Sequence, residues 1–170
     1  MVQKTVCMLG AYRVGKTSLV RRFVASLFDE KYHATLGVKI DKKPVHVGDG
    51  RTANLVLWDV AGAEDHFTVP SSYLRGAHGC LLVIDGTRPE TLDRALDLAA
   101  QFARDVSPAV PTVVVLNKAD LTDDWKLDDD AALAKLAPLN CPVVRGSAKT
   151  GAGVEEAFKA LAGRMLGAKD

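Results

Sequence analysis

The chain has 170 residues, of which 48% are hydrophobic and 25% are charged, and its formal net charge at pH 7 is +1. These values are typical of one globular α/β domain, so we expect residues 1–170 to form a single domain, and they exclude wholesale disorder. A net charge so near zero gives no electrostatic reason to expect nucleic acid or an anionic membrane as a partner. The longest purely apolar run, 80–84, is far shorter than the roughly 18 residues of a membrane-spanning helix.

The cysteines indicate the cellular compartment. Cys7, Cys80 and Cys141 lie far apart in apolar segments. An odd number of cysteines in such surroundings is typical of buried free thiols in a reducing compartment. Because the first residues carry no signal-peptide pattern either, we expect a cytoplasmic protein.

The first third of the chain carries one helical pattern between strand patterns. An apolar run over 6–9 leads into a glycine-rich turn, after which apolar residues recur at helical spacing from Leu19 to Leu27. Residues 36–47 and 51–58 form the pattern of a β-hairpin around the turn 48–50. This part therefore predicts a strand, a helix and a hairpin.

The remainder alternates strands and helices. Continuous apolar runs at 80–84 and 113–116 predict strands that are buried on both faces of a parallel sheet. An apolar stripe from Leu92 to Val106 predicts a helix between them, with Pro89 in its first turn. A last amphipathic helix carries 158–165. The alternation predicts an α/β fold with a doubly wound, mostly parallel sheet and helices on both faces.

Residues 10–17 match the phosphate-loop pattern G-x-x-x-x-G-K-[ST]. Its glycines let the backbone wrap a phosphate chain with the N–H groups turned inward, and the helix that follows adds its positive end. Lys16 can reach the outer phosphates, and the Thr17 hydroxyl can bind Mg²⁺. The motif stands between an apolar strand and an amphipathic helix, which is the context that such a loop requires. It predicts a phosphate-binding site.

Polar residues follow three later strand patterns. Asp59 ends an apolar strand, where a carboxylate can hold the water shell of a metal ion beside the phosphate loop. Residues 117–120 (N-K-x-D) and 147–149 (S-A-K) stand at two further strand ends. Guanine offers paired N–H groups at N1 and N2, which the Asp120 carboxylate can accept, whereas adenine offers no such donor pair. Together with the phosphate loop, N-K-x-D predicts a guanine nucleotide.

These motifs resemble those of the small GTPases of the Ras superfamily, and most of all the Rab branch. Residues 35–38 resemble the first switch of Rab proteins, and 71–79 resemble the stretch after their second switch. The resemblance extends over about residues 3–167. It implies a P-loop NTPase of the small G-domain type, with six strands, five helices and the nucleotide at the carboxyl ends of the strands. The implied function is a molecular switch that binds GTP and hydrolyses it to GDP and phosphate.

The resemblance also implies individual roles. Thr35 would bind Mg²⁺ and sense the γ-phosphate, and the Gly62 N–H would contact that phosphate. Metal ligands would be Thr17, Thr35 and Asp59, and catalytic residues would be Lys16, Thr35 and Gly62. The implied nucleotide-binding residues are Arg13, Val14, Gly15, Lys16, Thr17, Ser18, Phe28, Asn117, Lys118, Asp120, Ser147, Ala148 and Lys149.

Within that set, a smaller group surrounds the base. Asn117 and Asp120 would read guanine, and the Ala148 N–H would donate to its O6. The Lys118 stem and Phe28 would cover opposite faces of the ring.

The resemblance implies partners as well. Loops 28–40 and 61–76 would order around the γ-phosphate and Mg²⁺ and would contact an effector, an exchange factor and an activating protein. Residues 166–170 contain no cysteine, and the first residues have no myristoylation pattern, so we expect no lipid anchor. We expect no nucleic acid. With the alanine-rich composition, the missing anchor suggests a bacterial Rab-like relative.

The chain departs from the family at the residue after D-x-x-G, where a Gln usually orients the attacking water. Ala63 stands there, and because its methyl group cannot hydrogen-bond to water, we expect slow unaided hydrolysis. Glu64 and His66 are nearby polar candidates for a substitute. Tyr12 and Arg13 replace small residues of many relatives: the first could obstruct an arginine supplied by a partner, and the second could supply positive charge in cis.

Two other functions remain open from the residues. A non-hydrolysing guanine-nucleotide-binding scaffold, or pseudo-GTPase, would hold the nucleotide as a structural element. The intact residues Lys16, Thr17, Thr35, Asp59 and Gly62 favour a switch instead, because a static site needs no γ-phosphate sensor. A P-loop kinase of the adenylate or shikimate type would need an arginine-bearing lid and an acceptor pocket, and the sequence has no pattern for either.

Overall fold

The computed structural model describes residues 1–31, 35, 37–60 and 69–167. Six strands form one sheet in the order β2-β3-β1-β4-β5-β6. The strands are β1 (Val2–Gly10), β2 (Val38–His46), β3 (Thr52–Val60), β4 (Gly79–Asp85), β5 (Thr112–Asn117) and β6 (Val143–Arg145). Among them, β2 alone runs antiparallel to its neighbour. The predicted doubly wound, mostly parallel sheet is confirmed.

The described residues contain four α-helices. They are α1 (Lys16–Ala25), α2 (Glu90–Asp105), α3 (Asp129–Leu136) and α4 (Val154–Met165). Helices α1 and α4 pack on one face of the sheet, and α2 and α3 pack on the other. None of the helices in these parts of the chain is long and apolar enough to cross a membrane. The fifth helix that the resemblance implies remains a prediction.

Strand β1 shows why the apolar runs are continuous. Its side chains alternate between two cores: Val6 and Met8 belong to the core beneath α1 and α4, whereas Cys7 and Leu9 belong to the core beneath α2 and α3. Every residue of β4 is buried in the same way. A strand that is covered on both faces needs apolar residues at successive positions, as the sequence predicted.

Helix α1 is shorter than its apolar stripe predicts. It ends at Ala25, and Ser26 adopts a left-handed conformation with φ 56°. The Ser26 N–H donates to carbonyl oxygens of the last helical turn, those of Arg21 and Arg22. Leu27, predicted to continue the buried stripe, therefore lies beyond the helix and is 63% exposed. That part of the prediction is wrong, because a local C-terminal cap overrides the apolar spacing.

The three cysteines are free. Cys7 and Cys80 are buried as predicted, whereas Cys141 is only half-buried. Burial raises the pKa of the Cys7 thiol to about 12. These side chains therefore act as small core residues, and the two buried ones remain protonated.

The strand order locates the place where a ligand can bind. In the sheet, β1 lies between β3 on one side and β4 on the other. Ligands of open α/β sheets bind at the carboxyl ends of the strands, where the order reverses. Gly10, Asp85 and Asn117, the last residues of β1, β4 and β5, mark that edge.

Candidate nucleotide-binding site

A cavity of about 470 Å³ opens at this edge of the sheet. Its volume lies in the range of small-molecule binding sites. All the predicted nucleotide-binding residues except Ser147 line it. The sequence interpretation missed further lining residues, namely Arg21, Asp29, Glu30, Lys31 and Leu121. Four of them directly continue Phe28 or Asp120 along the chain, and Arg21 stands one helical turn beyond Thr17, so spacing from the predicted residues could have suggested them.

Both motif glycines are required by close packing. Gly15 has φ 101°, and a Cβ there would lie 2.4 Å from Asn117 Nδ2. A Cβ on Gly10 would lie 2.6 Å from the carbonyl oxygen of Val83. These glycines let the loop turn sharply from β1 into α1, so the N-terminus of α1, with its unpaired N–H groups, faces the cavity.

Lys16 spans the phosphate loop from its buried position. Its Nζ donates hydrogen bonds to the carbonyl oxygens of Gly10 at 2.9 Å and Ala11 at 3.0 Å. The residue is 5% exposed. Burial lowers the pKa of Lys16 to about 8, although the negative charge of Asp59 opposes that shift. A cation held in this way lies against the cavity and can reach an anionic group there.

The three predicted metal ligands meet beside Lys16. Thr17 Oγ1 donates to Asp59 Oδ2 at 2.5 Å and lies 2.7 Å from Thr35 Oγ1. Asp59 is the second-last residue of β3, not its end, and is 1% exposed. Burial raises the pKa of Asp59, opposed by the Thr17 hydrogen bond and the Lys16 charge. Its Oδ1 is buried and accepts no hydrogen bond from the described residues.

This set of oxygen atoms fits Mg²⁺, which prefers hard oxygen ligands and only one or two carboxylates. In the parts of the chain that the structure describes, no group of three or more histidine, cysteine, aspartate and glutamate residues could hold a metal ion. Two hydroxyl groups and one carboxylate, whose Oδ1 has no hydrogen-bond partner among the described residues, therefore form a candidate Mg²⁺ position.

At the other end of the cavity, Ser147 lies behind Asp120. Ser147 Oγ donates to Asp120 Oδ1 at 2.7 Å and accepts from the Thr150 N–H at 3.1 Å. Ser147 is 1% exposed and does not line the cavity. It can thus orient the Asp120 carboxylate, which itself faces the cavity.

Asn117 connects the phosphate loop to the loop after β6. Its Nδ2 donates to the carbonyl oxygen of Val14 at 2.9 Å, and its Oδ1 accepts from the Ala148 N–H at 3.3 Å. That N–H is the group that the resemblance assigns to guanine O6. Because the contact to Asn117 is long, the N–H remains available to a better acceptor in the cavity.

Arg22, which the sequence interpretation missed, supports the same loop from α1. Its Nε donates to the carbonyl oxygen of Ala148 at 2.8 Å, and its Nη2 donates to that of Lys149. The partners are 126 and 127 residues away in the sequence, so no local pattern could indicate them. Arg22 thereby connects the helix of the phosphate loop to the loop at the base end.

The remaining predicted residues differ in how fully the structure describes them. Phe28 is half-buried, packs against the core beneath α1 and α4, and lines the cavity. Arg13 has φ 63°, and its guanidinium lies 5.5 Å from the centroid of the Tyr12 ring. Gly62, Ala63, Glu64 and His66 lie outside the described residues, as do parts of loops 28–40 and 61–76. Their roles remain predictions.

The fold and this cavity define a nucleotide-binding protein of the small G-domain class. Comparison with known proteins agrees: the family model described as "Ras family" matches residues 5–167. The Ras-related protein RABD2a of Arabidopsis thaliana is 36% identical over 154 residues, which cover 91% of this chain and 75% of the relative. The chain therefore belongs to the Ras family, as a Rab-like small GTPase.

Membership of the Ras family implies a general function. Proteins of this family bind guanine nucleotide, typically with Mg²⁺, hydrolyse GTP, and act as molecular switches through regulators and effectors. The family membership that the phosphate loop, N-K-x-D and S-A-K motifs predicted is confirmed.

Proposed function

We propose that this chain is a single-domain, GTP-operated switch whose unaided hydrolysis of GTP is slow. The observation that carries the proposal is the meeting of Thr17, Thr35 and Asp59 beside Lys16, at one end of a cavity whose other end holds Asp120. A phosphate chain and a base can be bound together only if both ends belong to one cavity.

At the phosphate end, Lys16 would exchange its two carbonyl contacts for phosphate oxygens. Thr17, Thr35 and Asp59 would hold Mg²⁺, which when bound neutralises charge on the phosphate oxygens. Among the described residues of loop 28–40, Thr35 reaches this group through its hydroxyl, which lies 2.7 Å from Thr17 Oγ1. Loss of the γ-phosphate would weaken its hold on that loop, and we propose that regulators and effectors read this change on loops 28–40 and 61–76.

At the base end, Asp120 would accept the N1 and N2 hydrogens of guanine. Ser147 supports this role, since its hydroxyl holds one carboxylate oxygen in place at 2.7 Å. The Ala148 N–H would turn from Asn117 toward O6, while Phe28 and the Lys118 stem would cover the ring.

The hydrolysis step depends on position 63. With Ala63 no side-chain group at that position can orient water, so bound GTP is expected to be hydrolysed slowly in a single-turnover assay of purified protein in Mg²⁺ buffer. Ala63→Gln is expected to raise this rate by roughly tenfold or more, because orientation of the nucleophile is a main source of catalysis here. The measurement is the conversion of bound GTP to GDP over time.

Ala63→Met is the matched control, because methionine has nearly the length of glutamine but cannot orient water. It is expected to keep the slow rate of the unchanged protein. Fast hydrolysis without any partner, or an equal gain with methionine, contradicts the proposal. If GTP binds but even the glutamine variant leaves it intact, the chain is a guanine-nucleotide-binding scaffold instead.

Arg22→Met tests the connection between α1 and the base loop. The substitution keeps the aliphatic stem but removes both donors to Ala148 and Lys149. We expect GDP affinity to fall by roughly tenfold, a size typical of lost charged hydrogen bonds. We expect almost no change for 2-aminopurine riboside diphosphate, because this nucleotide lacks O6 and Arg22 is proposed to act by presenting the Ala148 N–H to O6. Competition against fluorescently labelled GDP measures both affinities.

Lys159→Met is the control for this experiment, since Lys159 pairs only with exposed Glu155 on the outer face of α4 among the described ion pairs. It is expected to leave both affinities unchanged. An equal loss for the two nucleotides in Arg22→Met would show that Arg22 supports the fold in general and does not present the Ala148 N–H to O6.

A further inference from the structure

Asp85, at the end of β4, holds two cations with one buried carboxylate. Its side chain is 0% exposed, and Oδ2 lies 2.8 Å from Lys118 Nζ and 3.1 Å from Arg88 Nε. Oδ1 accepts from the N–H and the hydroxyl of Thr87. Burial alone would raise the pKa of Asp85, but the hydrogen bonds from Lys118 and Thr87 outweigh it and hold the pKa below its usual value. The carboxylate is therefore charged.

Both cations also donate hydrogen bonds to the phosphate loop. Arg88 Nη2 donates to the carbonyl oxygen of Tyr12 at 2.5 Å, and Lys118 Nζ donates to that of Arg13 at 3.0 Å. These carbonyl groups are consecutive along the chain. Arg13 also has φ 63°, a conformation uncommon for a residue with a side chain, so the loop needs contacts that hold it there.

The direction of the two carbonyl groups determines the direction of two N–H groups. In a trans peptide the C=O of one residue points opposite to the N–H of the next. With the carbonyls of Tyr12 and Arg13 turned toward Asp85 and its cations, the N–H groups of Arg13 and Val14 point the other way. Both residues line the cavity, and inward N–H groups are what a phosphate loop offers to phosphate oxygens.

We propose that Arg88 is a positioning residue for the β- and γ-phosphates of the nucleotide, acting through the Tyr12 carbonyl; this rests on the function proposed above. Arg88 does not itself line the cavity, so it acts through the loop and not by contact with the ligand. Arginine suits this position because its fork pairs with Asp85 through Nε and with the loop through Nη2 at the same time.

The test compares three nucleotides that differ only in their phosphates. Arg88→Met keeps the stem and removes both contacts. Calorimetry is expected to show affinities for GDP and for a non-hydrolysable GTP analogue reduced by roughly tenfold, with GMP affinity changed less than about twofold because GMP lacks the β- and γ-phosphates that Arg88 is proposed to position. The control is Lys135→Met, which removes an exposed ion pair to Asp93 of α2 and is expected to leave all three affinities unchanged.

A second variant keeps the proposal testable if Arg88→Met does not fold. Arg88→Lys retains a charge for Asp85, but one ammonium group cannot replace both donors of the fork, and the same selective loss is expected. Equal losses for GMP, GDP and the GTP analogue, or no loss in a folded variant, overturn the proposal. If the unchanged protein binds none of the three nucleotides, the proposed function itself has failed, which is a distinguishable result.

Discussion

Asp120→Asn is expected to lower the affinity for GDP by roughly a hundredfold or more, because a site built to accept guanine hydrogens rejects a mismatched partner strongly. The same variant is expected to gain affinity for xanthosine diphosphate, whose base carries an oxygen in place of the guanine amino group. Competition of both diphosphates against fluorescently labelled GDP measures whether the preference changes from guanine to xanthine.

The environment of Asp120 explains why the amide can serve xanthine. Ser147 Oγ accepts from the Thr150 N–H and therefore directs its own hydrogen to Asp120 Oδ1. In the asparagine variant the amide oxygen is expected to keep this place. The amide nitrogen then occupies the position of Oδ2. There it repels the amino group of guanine, but it can donate a hydrogen bond to the oxygen that xanthine carries at the same position.

Asp124→Asn is the matched control, because it makes the same chemical change at an exposed position in the same loop and outside the cavity. It is expected to leave both affinities unchanged. Undiminished GDP affinity in Asp120→Asn would contradict guanine recognition by this carboxylate, and an equal loss in both variants would indicate a general effect of charge.

Sequence reasoning succeeded where the pattern is local. The apolar runs at 80–84 and 113–116 predicted β4 and β5, and the hairpin around 48–50 predicted β2 and β3. The same holds for the lining of the cavity by residues 13–18, since a phosphate loop is a continuous segment whose geometry follows from its own glycines.

It failed where the outcome depends on contacts across the fold. Arg88 and Arg22 each hold a loop that lines the cavity, yet the carbonyl groups that they bind, those of Tyr12 and Ala148, lie 76 and 126 residues away in the sequence. Spacing also cannot say which side of a loop a side chain occupies. Ser147, which the motif predicts among the nucleotide-binding residues, is buried behind Asp120 in the structure and donates to its carboxylate.

Lys16→Met is expected to abolish most nucleotide binding, lowering GDP affinity by at least about a hundredfold, because a buried charge partner of the phosphates is lost. Lys16 is 5% exposed and lies among carbonyl oxygens, so no water can readily replace its ammonium group. Thermal unfolding with and without GDP measures the effect, since a ligand that binds the native state raises the melting temperature by an amount that grows with the logarithm of its concentration divided by its dissociation constant.

Without nucleotide, the same variant is expected to remain folded, because the loss of two hydrogen bonds and of the attraction to Asp59 is partly offset by removal of a costly buried charge. The lowered pKa of Lys16, about 8, is the sign of that cost. Lys42→Met, on the exposed side of β2, is the control and should retain the full stabilisation by GDP. If GDP stabilises Lys16→Met as much as it stabilises the unchanged protein, Lys16 does not bind the phosphates, and residues 10–17 have another role.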